Sequence, residues 1–355
     1  MYLSSLNLKD FRSYSQKNLE FDKAITVIVG PNAAGKTNIL ESIVLLSLGR
    51  SFRAGKDEEM IYFGQDFGRV SGMVESDSLE VLLTRGIWQG KKVAKKRYLV
   101  NGTPKRRKDF VSQLKTVLFE PADLQLITGS PLRRRDFLDF VLSQVDLEYD
   151  RSLLSYQKGL RQRNKVLEFI REGRAKLPQL EFWNRLLIKN GDVLRNRREA
   201  LLEFANLILS QKTNRPTGWA KLPNYHLVYL PSPISEKRLQ EHLNAEIATG
   251  NTLIGPHRDD FEIYESNGQG ERDLATYGSR GEQRLAALAL KLVQLKFIHE
   301  KTAELPILLL DDVFSELDQM HDQLVMQMIQ GQQTIITTTE IDILKSKETE
   351  IIELK

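Results

Sequence analysis

The stretch ITVIVGPNAAGKTN, residues 25 to 38, decides how the rest of the chain is organised. Its first five residues are β-branched, which favours a strand, and apolar residues at helical spacing follow from Asn38 to Leu48. Between the two lies a glycine loop with the spacing of a phosphate-binding loop, although an ordinary glycine-rich turn between a strand and a helix has the same pattern. The predicted nucleotide-binding residues are Gly30, Pro31, Asn32, Ala33, Ala34, Gly35, Lys36, Thr37 and Asn38.

Each part of this loop has a chemical role in binding a nucleoside triphosphate. Glycines let backbone N–H groups surround phosphates, and the helix N-terminus behind them adds a positive dipole end. Lys36 is expected to reach the β- and γ-phosphates, and the Thr37 hydroxyl is expected to bind Mg²⁺. Arg12 lies within chain reach of the nucleotide and is a further candidate, with a surface arginine in a turn as the alternative.

Composition limits the class of protein. A chain of 355 residues is expected to form two or three domains. Hydrophobic residues make up 41% and charged residues 28%, as in soluble globular proteins. The sequence has no cysteine, which excludes disulfides, thiolate metal sites and cysteine nucleophiles. We find no signal peptide and no apolar run of membrane-spanning length, so we expect a cytoplasmic protein with no membrane partner.

Basic residues concentrate between Arg85 and Lys108, where ten Lys or Arg occur and no acidic residue. Asn101-Gly102 inside this segment predicts a hairpin turn. A stretch of one charge sign repels itself and is suited to a polyanion, although charge runs are also found on ordinary solvated surfaces. The candidate DNA-binding residues of this hairpin are Lys91, Lys92, Lys95, Lys96, Arg97, Lys105, Arg106 and Arg107.

From Pro121 to about Leu243 the apolar periodicity becomes helical, and helices are predicted from Pro131 to Val145, Ser152 to Arg171 and Leu180 to Gln211. Residues 118 to 243 hold 21 Lys or Arg and 15 Asp or Glu, a net charge of +6 against +4 for the whole chain. Three clusters carry this charge and together predict a surface for a phosphate backbone, although each is also typical of a solvated helix face. They are Arg133-Arg134-Arg135, Arg161 to Lys165, and Arg195 to Arg198, with Arg133 and Arg134 taken as DNA-binding candidates.

Three later segments bear on chemistry. Gly255-Pro256-His257-Arg258-Asp259-Asp260 fits no zinc-ligand spacing, so we interpret it as a structural turn with internal hydrogen bonds. Ser279 to Gln283 opens a helix and builds an anion site, or simply an N-cap. Ile307 to Leu310 is a buried-strand pattern ending in Asp311 and Asp312, of which the first suits Mg²⁺ and the second suits a catalytic water.

These motifs, in this order, resemble the ABC-type ATPase heads of the SMC class. The resemblance implies that two heads enclose two ATP molecules in a homodimer. The signature residues Ser279, Gly281 and Glu282 of one copy would close the site of the other in trans, and Asp318 would lie at the interface. About 125 residues separate the two halves here, without the sustained heptads of an SMC coiled coil.

A closer resemblance is to the RecF family of bacterial recombination-repair ATPases, and it covers essentially the whole chain. It is carried by Asn7 to Tyr14, Gly30 to Asn38, Ser51-Phe52-Arg53, Asn101-Gly102, Ser130 to Asp139, Gln162-Arg163-Asn164, Gly255 to Asp260 and Asp311 to Asp318. The family implies an ATP-dependent homodimer that binds duplex DNA at single-strand gaps, with RecO and RecR as partners, and assists RecA loading.

The resemblance also implies the fold class, an α/β ABC-type P-loop ATPase head with an antiparallel β subdomain and an inserted, mainly helical second domain. We expect residues 1–117 and 244–355 to form the head and residues 118–243 the insertion.

Two positions depart from transport-type ABC enzymes, which carry Glu after the metal-binding Asp and a switch histidine. This chain has Asp312 and a threonine-rich segment ending in Glu340, and we therefore expect slow, switch-like hydrolysis with Lys36 and Asp312 as catalytic residues. Arg280 within the signature is a further departure. The alternative function is an ABC-type ATPase acting on a protein or small-molecule cargo.

Overall fold

The computed structural model describes residues 1–22, 24–88, 90–111, 113–210, 222–266, 270–316, 325–326, 329, 331–339 and 349–354. Two compact units are present. Unit 1 comprises Met1–Asp123 and Lys291–Lys355, and unit 2 comprises Leu124–Leu290.

The strands are β1 (Leu3–Phe11), β2 (Tyr14–Glu20), β3 (Ile25–Val29), β4 (Phe67–Val74), β5 (Asp77–Thr84), β6 (Ile87–Trp88), β7 (Lys91–Lys92), β8 (Lys96–Val100), β9 (Thr103–Lys105), β10 (Thr116–Phe119), β11 (Asn224–Leu230), β12 (Asp260–Ser266), β13 (Glu271–Asp273), β14 (Ile307–Asp311), β15 (Thr334–Thr338) and β16 (Thr349–Glu353). The helices are α1 (Lys36–Leu48), α2 (Arg107–Phe110), α3 (Gln125–Thr128), α4 (Pro131–Val145), α5 (Leu147–Arg171), α6 (Glu181–Leu209), α7 (Glu236–Thr249), α8 (Leu274–Tyr277) and α9 (Arg280–Thr302). Short 3₁₀ turns cover Asp57–Met60, Pro121–Leu124, Leu177–Leu180, Pro256–Arg258 and Val313–Glu316.

Unit 1 contains an antiparallel sheet of six strands in the order β2-β1-β4-β5-β8-β9. Its strands alternate between apolar side chains on a buried face and polar side chains on an outer face. The predicted hairpin turn is present between β8 and β9, where Asn101 (φ 52°) and Gly102 (φ 73°) both adopt positive φ. Two positive φ values are the requirement of a type I′ turn, which explains the Asn-Gly pair.

The second sheet of unit 1 is parallel, with strands in the order β10-β14-β15-β3-β16. Helix α1 contacts β4 and β5 of the antiparallel sheet and also β10, β14 and β15 of the parallel sheet. Eleven of its 13 residues are buried, from Lys36 to Leu48. Because α1 contacts both sheets, it fixes the phosphate loop between them, and most of its buried residues are apolar.

Unit 2 combines long helices with the three-stranded sheet β11-β12-β13. Helices α5 and α6 pack against each other, and α6 also packs on β11. Helix α4 has the predicted bounds, whereas α5 begins at Leu147, five residues before the prediction, because Asp146 accepts a hydrogen bond from the Tyr149 N–H and caps it. Gln211, the predicted end of the third helix, lies outside the described residues.

The boundaries of the units differ from the predicted domains. They fall after Asp123 and Leu290, instead of after residues 117 and 243. The difference at the second boundary arises because β12 pairs with β11 along its whole length, from Asp260 to Ser266. Residues 244–290 therefore belong to the helical unit and carry the Ser279 signature with them.

No helix among the described residues is both long enough and apolar enough to cross a membrane.

Candidate nucleotide site

The loop between β3 and α1 has backbone angles that only certain residues adopt readily. Gly35 has φ 95° and Ala33 has φ 68°. A Cβ at Gly35 would lie 2.6 Å from Tyr14 Oη, and Tyr14 Oη itself donates a hydrogen bond to Ala34 O at 3.1 Å. Burial raises the pKa of Tyr14 to about 12, so this tyrosine is a neutral donor at the base of the loop.

The Lys36 ammonium is buried beneath the loop. Its Nζ donates to Gly30 O at 2.7 Å and to Pro31 O at 3.1 Å. The N–H of Gly30 in turn donates to Thr338 O at 3.3 Å, which links the loop to the end of β15. The Lys36 Nζ atom is therefore held inside the phosphate loop by two of the loop's own carbonyl oxygens.

The two predicted metal ligands meet, although 274 residues separate them. Thr37 Oγ1 lies 3.2 Å from Asp311 Oδ1, since α1 begins beside the carboxyl end of β14. A hydroxyl and a carboxylate are hard oxygen ligands of the kind that Mg²⁺ takes in phosphate sites. The residues present therefore fit this ion.

Thr337 is a functional candidate that sequence reasoning missed. Its Oγ1 donates to Asp311 Oδ1 at 2.6 Å and accepts from the Asp312 N–H at 3.2 Å. Asp312 adopts φ 50°, which turns the chain immediately after the strand. The threonine run of β15 is the sequence signal for this role, but by itself it predicts only a strand that lacks the switch histidine.

A cavity of about 310 Å³ opens over these residues, all in unit 1. It brings together six residues of the phosphate loop and both strand-end acids. Its lining is Asn32, Ala33, Gly35, Lys36, Thr37, Asn38, Arg53, Pro121, Asp311 and Asp312. Arg53 and Pro121 were not predicted, whereas Gly30, Pro31 and Ala34 form the loop without lining the cavity.

Arg12 contacts helix α1 through Glu41 but does not line the cavity. Its guanidinium donates to both carboxylate oxygens of Glu41, at 2.8 and 2.6 Å, and to Glu59 O at 2.6 Å. Glu41 is fully buried in α1 and also accepts from Arg53 Nε at 3.0 Å. Arg12 and Arg53 therefore share one carboxylate, and only Arg53 continues to the cavity.

The signature segment lies in unit 2 at the start of α9. Ser279 N–H donates to Glu282 Oε2 at 2.7 Å, and Glu282 N–H donates to Ser279 Oγ at 3.3 Å, a reciprocal capping box. A hydrogen bond from Arg272 lowers the pKa of Glu282 to about 2, and the hydrogen bonds from Ser279 make smaller contributions in the same direction.

Gly281 is exposed, and a Cβ there would meet nothing within 4 Å. The fold of this unit therefore has no steric requirement for glycine at position 281. The fourth predicted residue of this interface, Asp318, lies outside the described residues.

The predicted DNA-binding residues divide into two groups. Several are occupied by partners inside the protein: Lys95 pairs with Glu58, Lys96 with Asp57, Arg106 with Asp109 and Arg134 with Asp260, while Arg107 donates to Leu48 O. Arg134 is 11% exposed and is thereby excluded from the surface. The others are exposed and make no ion pair within the part of the chain that the structure describes: Lys91, Lys92, Arg97, Lys105 and Arg133.

Two arginines of the predicted surface clusters are buried instead. Arg163 Nη2 donates to Glu246 at 2.6 Å, with both side chains fully buried. Arg198 donates to Asp139 and Asp259, at 2.9 and 2.8 Å. The prediction that these two belong to a phosphate-binding surface is wrong, since each neutralises acids in the core of unit 2.

His257 is a structural residue, as the sequence indicated. Its Nε2 lies 3.0 Å from Thr252 O, a group that only accepts, so Nε2 carries the proton and Nδ1 accepts from Tyr156 Oη at 2.8 Å. Burial, with a smaller opposing effect of the Thr252 hydrogen bond, lowers the pKa of His257 to about 4. Among the described residues no group of three or more His, Asp or Glu has an arrangement that would hold a metal.

A phosphate loop between a parallel strand and a buried helix, with an acidic strand end beside it, defines a P-loop ATPase head of the ABC type. The sequence matches the RecF/RecN/SMC N-terminal domain family over residues 2–354. It is 35% identical to a DNA replication and repair protein RecF of Bacillus cytotoxicus, over 96% of this chain and 93% of that protein.

Solved structures agree with this assignment. A RecF-ATP structure, described as a recombination mediator protein in the RecFOR pathway, is 32% identical, with a TM-score of 0.85 over 99% of this chain and 95% of that chain. An Smc head domain derived from Pyrococcus furiosus shares the fold, at 20% identity and a TM-score of 0.52, over 100% of this chain and 94% of that chain. The chain belongs to the RecF/RecN/SMC N-terminal domain family and, within it, to the RecF proteins. The predicted fold class and family resemblance are thereby confirmed.

Proposed function

We propose that this protein binds ATP and Mg²⁺ in the cavity of unit 1, dimerises on binding, and in that state holds duplex DNA next to single-strand gaps. The observation that carries the proposal is the meeting of Thr37 and Asp311 at 3.2 Å beneath the phosphate loop. RecF relatives are DNA replication and repair proteins, and one has been solved with ATP.

Residues of the loop would take the triphosphate. Backbone N–H groups from Asn32 to Thr37 and the N-terminus of α1 supply donors, and the Lys36 ammonium supplies a full charge. A bound phosphate would replace the carbonyl oxygens of Gly30 and Pro31 as the acceptor of the Lys36 hydrogen bonds. Thr37 and Asp311 would hold Mg²⁺, which neutralises phosphate charge when bound.

Asp312 would act on the attacking water. Asp312 follows the proposed metal ligand Asp311 directly. Its own N–H donates a hydrogen bond to Thr337, which fixes its backbone. An aspartate is one methylene shorter than the glutamate of transport-type enzymes, so its carboxylate reaches less far toward the water. We expect slow hydrolysis that resets the dimer, and rapid turnover without DNA would contradict this.

The dimer would be closed by the signature of a second copy. Ser279, Arg280 and Gly281 are exposed, and Gly281 leaves open space where any other residue would place a side chain. Such a position suits the close approach of another molecule's phosphate. By family membership we also propose RecO and RecR as partners, RecA loading as the outcome, and the cytoplasm as the location.

One pair of variants tests the dimer. Ser279→Arg should abolish ATP-induced dimerisation, measured by light scattering, while ATP binding to the monomer remains within about twofold. Ser155→Arg places the same side chain at an exposed serine of α5 and should dimerise normally. ATP-induced dimerisation of Ser279→Arg equal to that of the control would overturn the trans arrangement.

A titration of labelled duplex DNA tests the nucleic-acid function. Affinity should rise with a non-hydrolysable ATP analogue and fall steeply from low to moderate salt, because phosphate contacts release counterions. Absence of both responses would exclude the DNA clamp and favour a protein or small-molecule cargo.

A further inference from the structure

A single row of side chains crosses the outer face of the six-stranded sheet. The strand register sets Gln16 opposite Lys9, Lys9 opposite Arg69, Arg69 opposite Leu82, and Leu82 opposite Arg97. Residues directly opposite one another on neighbouring strands share a face. The row therefore presents three cations, which come from three segments far apart in sequence.

The three cations lie on the solvent side of the sheet. Lys9, Arg69 and Arg97 are exposed, whereas the adjacent strand positions Leu8 and Val70 are buried on the other face. Neighbouring strands are separated by about 4.8 Å, so the three steps from β1 to β8 give a row of about 14 Å. That length corresponds to about four base-pair steps along the axis of B-form DNA.

The charge of this row is only partly balanced within the protein. Arg69 pairs with Glu80 at 2.5 Å. Lys9 and Arg97 make no ion pair within the described part of the chain, and Lys9 stands directly opposite Arg69. Like charges in opposed positions of a sheet are destabilising, and an anion bridging them would remove that cost.

Uncharged donors flank one end of the row. A cavity of about 320 Å³ lies over β1, β2 and β4, and amide and hydroxyl side chains line it beside the cations. Its polar lining residues are Asn7, Lys9, Gln16, Asn18, Arg69 and Ser71. Amides and hydroxyls commonly contact phosphate and sugar oxygens in DNA complexes.

We propose that Lys9, Arg69 and Arg97, here named the cation row, bind the sugar-phosphate backbone of duplex DNA. The proposal rests on the DNA-binding function proposed above and assigns it a surface. None of the five residues in the row is aromatic, which favours phosphate contact over base stacking. The contact is independent of DNA sequence, because phosphates carry no sequence information.

The test compares two triple variants that each remove three positive charges. Lys9→Gln/Arg69→Gln/Arg97→Gln removes the cation row. The control, Arg174→Gln/Lys237→Gln/Lys301→Gln, removes three exposed cations elsewhere. With ATP analogue present, the row variant should bind duplex DNA at least tenfold more weakly, and its log affinity against log salt should be less steep by about 2 to 3.

Glu80→Gln gives the opposite change at the same place. It removes the carboxylate that occupies Arg69 and should tighten DNA binding severalfold without altering nucleotide affinity. Unchanged thermal unfolding and ATP binding in all variants establish that they are folded. If the unsubstituted protein binds no duplex DNA, the proposed function fails; if it binds but the row variant matches the control in affinity and salt dependence, the cation row alone is overturned.

Discussion

Thr337 donates a 2.6 Å hydrogen bond to Asp311 across two neighbouring parallel strands, and the same Asp311 oxygen lies 3.2 Å from Thr37. Asp311 is thus oriented by two hydroxyl groups, one from β15 and one from α1. The sheet itself supplies the orientation, because Thr337 and Asp311 are register partners of β15 and β14.

Thr337→Val should weaken the proposed Mg²⁺ site while keeping its shape. Valine is isosteric but cannot donate, so Asp311 loses one partner and the protein should lose about 1 to 3 kcal/mol of stability. The Mg²⁺-dependent part of ATP affinity, from calorimetry with and without EDTA, should fall about tenfold. Thr334→Val is the control in the same strand, since its hydroxyl donates to Gln332 O at 3.4 Å and, among the described residues, to no carboxylate. Equal Mg²⁺ dependence in both variants would contradict a role for Thr337.

Gly281→Gln should separate folding from dimerisation. A Cβ here meets nothing within 4 Å, and glutamine is a better helix former than glycine, so the free energy of unfolding should stay the same or rise by up to about 1 kcal/mol. ATP-induced dimerisation, followed by light scattering, should be lost. A glutamine variant that dimerises as tightly as the unsubstituted protein would show that no second molecule approaches this position.

His257 should make unit 2 sensitive to acid. Because its folded pKa is depressed to about 4, the unfolded state takes up the proton first, near pH 6.5. The stabilisation is therefore present above pH 6.5 and is lost as pH falls to 4, by up to about 3 kcal/mol. Urea unfolding from pH 7 to 4 should show this loss, and His257→Asn should lack it. The control His242→Asn should retain the acid dependence of the unsubstituted protein.

Arg198→Met should be one of the most damaging substitutions in unit 2. It leaves Asp139 and Asp259 buried without their shared cation, which costs about 3 to 5 kcal/mol. Arg197→Met, one residue earlier, breaks only the exposed pairs with Asp146 and Glu148 and should cost less than about 1 kcal/mol. Urea unfolding of the two variants measures the difference; similar losses would show that the buried network is not needed for stability.

Local signals were sufficient where structure depends on neighbours in sequence. Apolar periodicity predicts the bounds of α4, which has Pro131 at its first position, and the Asn101-Gly102 pair predicts its turn because it favours positive φ. The phosphate loop was recognisable for the same reason. The strand-end position of Asp311 followed from the apolar run before it.

Partners from distant segments could not be predicted. Arg197 and Arg198 are adjacent and of the same type, yet one is exposed and the other buried, since α6 turns successive side chains by about 100°. Likewise, Lys95 and Lys96 gain Glu58 and Asp57 from a turn almost 40 residues earlier. The cation row has no sequence signature, because it exists only once four strands are in register.

The position of β3 has a consequence for the synthesis of the protein. Strand β3 lies between β15 and β16, so within the described part of the chain the strand that leads into the phosphate loop pairs with residues 334–338 and 349–353. At 5 to 20 residues per second, about 300 further residues take roughly 15 to 60 s to leave the ribosome. Until then Ile25–Val29 lacks both of its strand partners, and exposed apolar segments of this kind are prone to aggregation. A nascent chain therefore cannot complete its ATP site until its last strands have been translated.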